Sequence, residues 1–363
     1  MPDARVAVAT QRGLYLLESD SRRQSWHRSG PFLESESVNR VSRGGDGSLY
    51  ASTLTEGVFR SKDGGKTWGP ASRGLHVRKV WTVESEVGDP GSLYAGTQYG
   101  HLFHSGDSGD SWDEVTGLHK APEREKWGID WGFGTVGLTV HTIRSEPTGS
   151  GRLYIVSSGA GTYSTDDGGK EWKLLRSGVD DGCPVSGGRA TVAGQDSPSE
   201  HLRMVHRCTH KLAMSKRSRG VIFQQNHCGV YASKDGGEHW DDISPGDDRR
   251  HGFPIAYTEG GTLFVVPAYQ GICKEHNSCV KGQLAVMRSP DGGRSWEEVK
   301  KGLPAKVHCC VLRDGMSEDG LEEPGVYLGT TTGEVYASFD GGDSWKALLS
   351  GVGRIQGITS FGA

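Results

Sequence analysis

Apolar residues in this chain come in short runs separated by glycine and polar turns. Leu49-Tyr50-Ala51, Leu93-Tyr94-Ala95, Leu153-Tyr154-Ile155, Val221-Ile222-Phe223 and Val326-Tyr327-Leu328 form one set. Gly57-Val58-Phe59, Gly229-Val230-Tyr231 and Gly333-Glu334-Val335-Tyr336 form a second set, each a few residues further on. Short β-branched and aromatic runs bounded by glycine read as strands of antiparallel meanders. No run is long enough to cross a bilayer as a helix.

Behind the second set stands a recurring turn, Ser/Thr-x-Asp-x-Gly-x-x-Trp. It occurs as Ser61/Asp63/Gly65/Trp68, Ser105/Asp107/Gly109/Trp112 and Thr165/Asp167/Gly169/Trp172. Ser233/Asp235/Gly237/Trp240, Ser289/Asp291/Gly293/Trp296 and Ser338/Asp340/Gly342/Trp345 repeat it. A worn copy runs from Ser19 to Trp26, with Ser21 and Arg23 in place of Asp and Gly. A carboxylate that accepts backbone N–H groups and a glycine that supplies positive φ make a tight turn, and Trp supplies an apolar plug. Repetition at this scale settles architecture before any single motif does.

These turns resemble the Asp-box (bacterial neuraminidase, BNR) repeat of sialidase-like and YVTN-like propellers, and the match covers nearly the whole chain. The resemblance implies four-stranded blades set radially, with the box at the hairpin between the third and fourth strands. Seven copies then predict an all-β fold, a single seven-bladed propeller spanning residues 1–363. Residues 5–26 hold only the last three strands of a blade, and Arg354-Ile355-Gln356-Gly357-Ile358-Thr359 is left over after the last box. The expected closure pairs residues 353–360 with the strand around Val6 to Thr10, which also hides sheet edges.

In such blades the connections alternate between two faces. Those from a fourth strand to the next first strand share a face, here called upper, with those joining strands two and three. Two insertions, 117–138 and 178–205, follow fourth strands and belong to that face. Long loops on a rigid scaffold are favoured places for binding and catalysis.

Composition narrows the function. The 363 residues carry a net charge of −4, so no electrostatic case exists for nucleic acid or an anionic membrane. Met1-Pro2-Asp3-Ala4-Arg5 leads straight into Val6-Ala7-Val8-Ala9 without signal-peptide blocks, and seven cysteines are an odd number. Both features lead us to expect a cytoplasmic protein with free thiols, including Cys273 and Cys279. No nucleotide-cofactor motif is present.

Counting back from each second strand aligns the innermost strands that line the channel. Trp81, His141 and His210 then fall at matching positions, with Asn39, Gln356 and His251 or Phe253 beside them. His308-Cys309-Cys310 takes the comparable place in the last blade, and the turn Asn226-His227-Cys228 reaches the same face. Imidazoles from different blades converging on one volume suit Zn, Fe or Cu. The reading is a metal site of His141, His210, His227 and His308 acting on a small molecule, with Trp81, Trp127, Trp131 and Phe133 against the substrate. Set against this, a histidine at a strand start is commonly a hydrogen-bonded structural residue.

Two other functional classes remain. Sialidases clamp a carboxylate with three arginines, the first in a Phe/Tyr-Arg-Ile-Pro motif that this chain lacks, so no sialidase residue carries over. Glu123, Glu125 and Asp130 beside Trp127 and Trp131 offer a glycan-binding or two-carboxylate glycosidase alternative. A scaffold docking a protein partner on the upper face is the third class. Cys273-x-x-His276-x-x-Cys279 is an incomplete ligand set, Cys208, Cys228 and Cys309 suit packing or ligation, and Lys211 to Arg219 reads as a solvated turn near the lower face.

Overall fold

A computed structural model describes residues 4–128, 138–179, 208–246, 249–268 and 279–362. They form seven four-stranded antiparallel sheets. The innermost strands are Ile355–Gly362, Val38–Arg43, Val80–Ser85, Val140–Ser145, Thr209–Met214, Gly252–Tyr257 and Met316–Glu318. Each touches the next in that order and the last returns to the first, which makes the ring of a seven-bladed propeller. We number the blades 1 to 7 in the same order. Among the described residues no helix is long and apolar enough to cross a membrane.

Closure follows the expectation. Ala4–Thr10, Gly13–Ser19 and His27–Phe32 supply three strands of blade 1, and Ile355–Gly362 supplies the innermost one. The register runs from Ala4 opposite Gly362 to Thr10 opposite Ile355. The hydrophobic core lies between blades rather than at one centre. Tyr50 and Val58 of blade 2, for example, pack with Val83, Leu93, Phe103 and Trp112 of blade 3. A flat sheet buries its faces only against its neighbours, so each blade needs the next.

The recurring turns have one hydrogen-bond scheme. In blade 5, Ser233 Oγ accepts the Gly237 N–H at 2.8 Å and donates to Asp235 Oδ1 at 2.8 Å. Asp235 in turn accepts the His239 N–H at 3.0 Å. Asp63 does the same work in blade 2, accepting the Lys66 and Thr67 amides at 3.0 and 2.9 Å. These carboxylates titrate below their ordinary range because the side-chain and backbone donors of the turn favour the charged form. Their work is structural.

The worn copy serves a different purpose. Arg23 occupies the glycine position and keeps its left-handed backbone, with φ 51°. Its guanidinium crosses to blade 7, where Nη1 donates to Asp319 at 2.8 Å and Nη2 to the Glu323 carbonyl at 2.7 Å. Arg23 and Asp319 are both buried, so this pair fastens the first blade to the last independently of the clasp strand. Arg23→Gly restores the repeat's own residue and relieves the backbone, yet strips a buried carboxylate of its cation. Asp319 keeps the Tyr327 hydroxyl at 2.8 Å and the Gly325 amide at 2.9 Å, which softens the loss. We expect a cost of about 2 kcal/mol in chemical denaturation. An unchanged midpoint would show that the worn copy is mere decay.

Candidate functional site

Five successive inner strands break register at equivalent points. The irregularities fall at Val38/Arg40, Val80/Thr82, Val140/Thr142, Thr209/Lys211 and Gly252/Ile255. Asn39, Trp81, His141, His210 and Phe253 are therefore bulge residues, and Gln356 lies in a similar break on the clasp strand. A bulge re-aims one side chain while the strand continues. The sequence alignment of Trp81, His141 and His210 thus marks a real structural ring near the upper end of the channel.

Three imidazoles cluster there. His210, His227 and His251 stand edge to face, with ring centroids 4.8 to 5.8 Å apart, and Phe253 stacks on His210 at 4.7 Å. His210 Nδ1–H donates to the Gly252 carbonyl at 2.6 Å, and His251 Nδ1–H donates to the His227 carbonyl at 3.1 Å. His141 Nδ1 meets Thr142 Oγ1 at 3.2 Å, while its buried Nε2 has no partner among the described residues. Burial and the nearby Arg313 cation hold His141 and His210 well below the usual imidazole range, and burial brings His251 down to about 4. All three are neutral at pH 7. Arg313 itself sits 5.6 Å from the Phe253 ring centre, so a permanent cation adjoins this end of the channel.

The expected fourth ligand is elsewhere. The inner strand of blade 7 is Met316–Glu318, and His308 precedes it in an exposed upper-face connection. The longer connection displaces the count by which His308 was aligned. Among the described residues, His141, His210, His227 and His308 do not bring three ligating atoms within 4.8 Å of one another.

Below the histidines the channel carries charges that the sequence reading missed. Arg40 Nη2 pairs with Glu84 Oε2 at 2.9 Å, and Arg144 Nη1 approaches the same oxygen at 3.1 Å. Lys211 Nζ pairs with Asp314 Oδ1, and Arg40 Nε lies 3.8 Å from that atom. Arg40, Lys211 and Asp314 are buried, and Arg40 also donates to Thr82 Oγ1 at 2.8 Å. These five groups line a cavity of about 470 Å³ at the lower end of the channel. Burial, opposed by Asp314 and reinforced by Arg144 and Arg40, brings the Lys211 ammonium down to about 7. The same cations hold the buried Asp314 below its ordinary value.

Lys211 corrects the reading of Lys211 to Arg219 as a solvated turn. Only its later part, Lys216, Arg217 and Arg219, is exposed. A signal was available, because strand side chains alternate. Arg40 and Lys211 directly follow the bulge positions of blades 2 and 5, while Glu84 and Arg144 stand three residues beyond those of blades 3 and 4.

The described part of the first insertion, residues 117–128, does not present a sugar platform. Trp127 is fully buried, donates from Nε1 to the Tyr163 hydroxyl at 3.0 Å, and joins the core between blades 3 and 4. Its neighbourhood of Tyr94, Leu118 and Ile155 draws the indole inward. Glu123 is ion-paired with Arg176 at 2.7 Å and Glu125 is exposed. Asp130, Trp131 and Phe133 lie outside the described residues, as do Cys273, His276 and most of 178–205. Trp81 is half-buried at its bulge, and its carbonyl accepts Asn39 Nδ2 at 2.6 Å. Cys228 is disulfide-bonded, against the expectation of free thiols, whereas Cys208, Cys279, Cys309 and Cys310 are free.

No family model and no curated protein matches this chain. Solved structures do. An ancestral GH74 enzyme superposes with a TM-score of 0.60 at 18% identity, over 86% of this chain and 38% of that one. The GH74 xyloglucanase of Xanthomonas campestris gives 0.57 at 17%, over 86% and 45%. Sqt1 of Saccharomyces cerevisiae gives 0.55 at 12%, over 97% and 84%. The likeness is one of fold. The chain spans less than half the length of the two GH74 proteins.

Proposed function

We propose that this propeller binds a small anionic molecule at the lower end of its axial channel. The carrying observation is charge imbalance: inside one half-open cavity Arg40, Arg144 and Lys211 face Glu84 and Asp314. At the rim Lys216 and Glu318 cancel each other at 3.1 Å, so the surplus is internal. An unbalanced buried charge is costly, and a carboxylate or phosphate would cancel it through charge-assisted hydrogen bonds. His141, held neutral by burial and with its buried Nε2 unpartnered among the described residues, suits the polar but uncharged part of such a ligand.

This keeps a small-molecule ligand, as the sequence pointed to, and replaces the metal with fixed cations as the recognition element. Within this cavity a two-carboxylate glycosidase is less well served, because its acid needs a raised pKa. Asp314 is held low by Lys211 and Arg40.

Thermal unfolding with inorganic phosphate, succinate and citrate, against neutral xyloglucan oligosaccharides, tests the reading. The anions should raise the midpoint, and Arg144→Ala should weaken binding about 10- to 100-fold, as expected for a charge-assisted bond. Affinity should also fall as pH rises above about 7. The bound anion favours the protonated amine, so binding takes up a proton once the free protein has lost it at Lys211. Calorimetry in buffers of differing ionisation enthalpy reads that proton directly. Stabilisation by the neutral sugars alone would overturn the proposal.

A further inference from the structure

We propose that His76, His101 and Glu114 form a zinc-class metal site on the upper face of blade 3, away from the channel constellation, with His119 hydrogen-bonded to the carboxylate. Four separate pieces of chain supply the groups. His76 comes from the connection entering blade 3, and His101 from the turn between its second and third strands. Glu114 ends the outer strand Asp113–Glu114, and His119 lies in the 3-10 turn Thr116–Lys120 that follows.

The ligating atoms of His76, His101 and Glu114 all lie within 4.8 Å of one another, which no other three-residue group among the described residues achieves. His101 Nδ1 is 2.5 Å from Glu114 Oε1, His119 Nε2 is 2.9 Å from the same oxygen, and His76 Nε2 is 3.7 Å from Oε2. The rings turn edge to face, His76 to His101 at 5.3 Å and His101 to His119 at 5.5 Å between centroids. Phe103 braces His76 from beneath at 4.9 Å. Three imidazoles converge on one carboxylate without crowding one another out.

Ligand type selects the ion. Imidazole nitrogens with a single carboxylate suit Zn²⁺ and its first-row neighbours, whereas Ca²⁺ and Mg²⁺ call for oxygen cages. Three protein ligands leave one position of a tetrahedral shell open, which is the pattern of a catalytic rather than a structural zinc, and His119 holds the carboxylate from outside the shell. Such an ion would staple the connection from blade 2 to the turn and outer strand of blade 3. The side chains of His76 and His119 are 54% and 40% exposed, so an ion has direct entry. The alternative is a carboxylate hydrogen-bonded to imidazoles with no ion taken up.

Tag-free protein, stripped with chelator, would be titrated with Zn²⁺ by calorimetry and with Co²⁺ by visible absorption. We expect one tight equivalent, a tetrahedral Co²⁺ spectrum, and at least a 100-fold loss of Zn²⁺ affinity in both His76→Ala and His101→Ala. These are surface or half-buried side chains, so the variants should keep the wild-type circular dichroism. Failure of the wild-type protein to bind Zn²⁺ at micromolar concentration would overturn the site. Undiminished binding in both variants would also overturn it and direct attention to the channel histidines.

Discussion

Replacing Asp314 with alanine should destabilise the protein by about 3–5 kcal/mol, the range for breaking a buried ion pair by removing one partner. Asp314 is the anion for Lys211 and stands 3.8 Å from Arg40 Nε, and its own side chain is nearly sealed from water. Without it Lys211 can shed its proton, since its ammonium already sits at about 7, but a guanidinium keeps its charge. The loss should therefore fall toward the lower end of the range at alkaline pH and the upper end at acid pH. A compensating pair, Asp314→Leu with Lys211→Met, removes both charges together and should recover much of the stability, because paired charges repay desolvation poorly. Urea denaturation of the single and double variants measures this. A double variant no more stable than Asp314→Ala alone would mean that the loss comes from the unpaired Arg40 guanidinium rather than from Lys211.

Removing residues 354–363 should abolish cooperative folding. The deleted strand pairs along the whole of Ala4–Thr10 and buries Ile355 and Ile358. Full burial of each such side chain is worth roughly 1.5–3 kcal/mol. Gln356 Nε2 also ties blade 1 to blade 2 by donating to the Val38 carbonyl at 2.7 Å. Loss of these contacts leaves blade 1 with three strands and presents the open edge of Ala4–Thr10 to other chains. The expected result is aggregation on size-exclusion chromatography and loss of the near-ultraviolet circular dichroism. The Arg23–Asp319 link alone cannot hold the gap, since it joins blade 1 to blade 7 at a single point. A monomeric truncated protein with an unchanged midpoint would refute the clasp.

The anion, metal and Arg23 experiments probe separate parts of the molecule. Arg144 lies in the channel and His76 on the rim of blade 3, so phosphate affinity should be indifferent to His76→Ala. Zinc affinity should likewise be indifferent to Arg144→Ala. Effects of distant, unconnected residues add.

Everything periodic in this protein can be derived from its sequence alone. Repetition of Ser233-x-Asp235-x-Gly237-x-x-Trp240 and its sisters determines seven blades, because each copy satisfies its own turn through contacts two to four residues apart. Local interactions of that kind need no knowledge of the rest of the chain. The clasp follows from a count of strands, and the alignment of Trp81, His141 and His210 from a distance of eleven or twelve residues to the second strand. Three features required the tertiary structure, each for a physical reason. Trp127, which looked like an exposed sugar platform, is drawn into the gap between two blades, and burial against a neighbouring sheet is invisible to local pattern. Lys211 belongs to a basic stretch in sequence, yet its strand aims it at Asp314, 103 residues away. His76, His101, Glu114 and His119 share no motif spacing, and only the fold of blade 3 around its upper rim brings their nitrogens to one carboxylate.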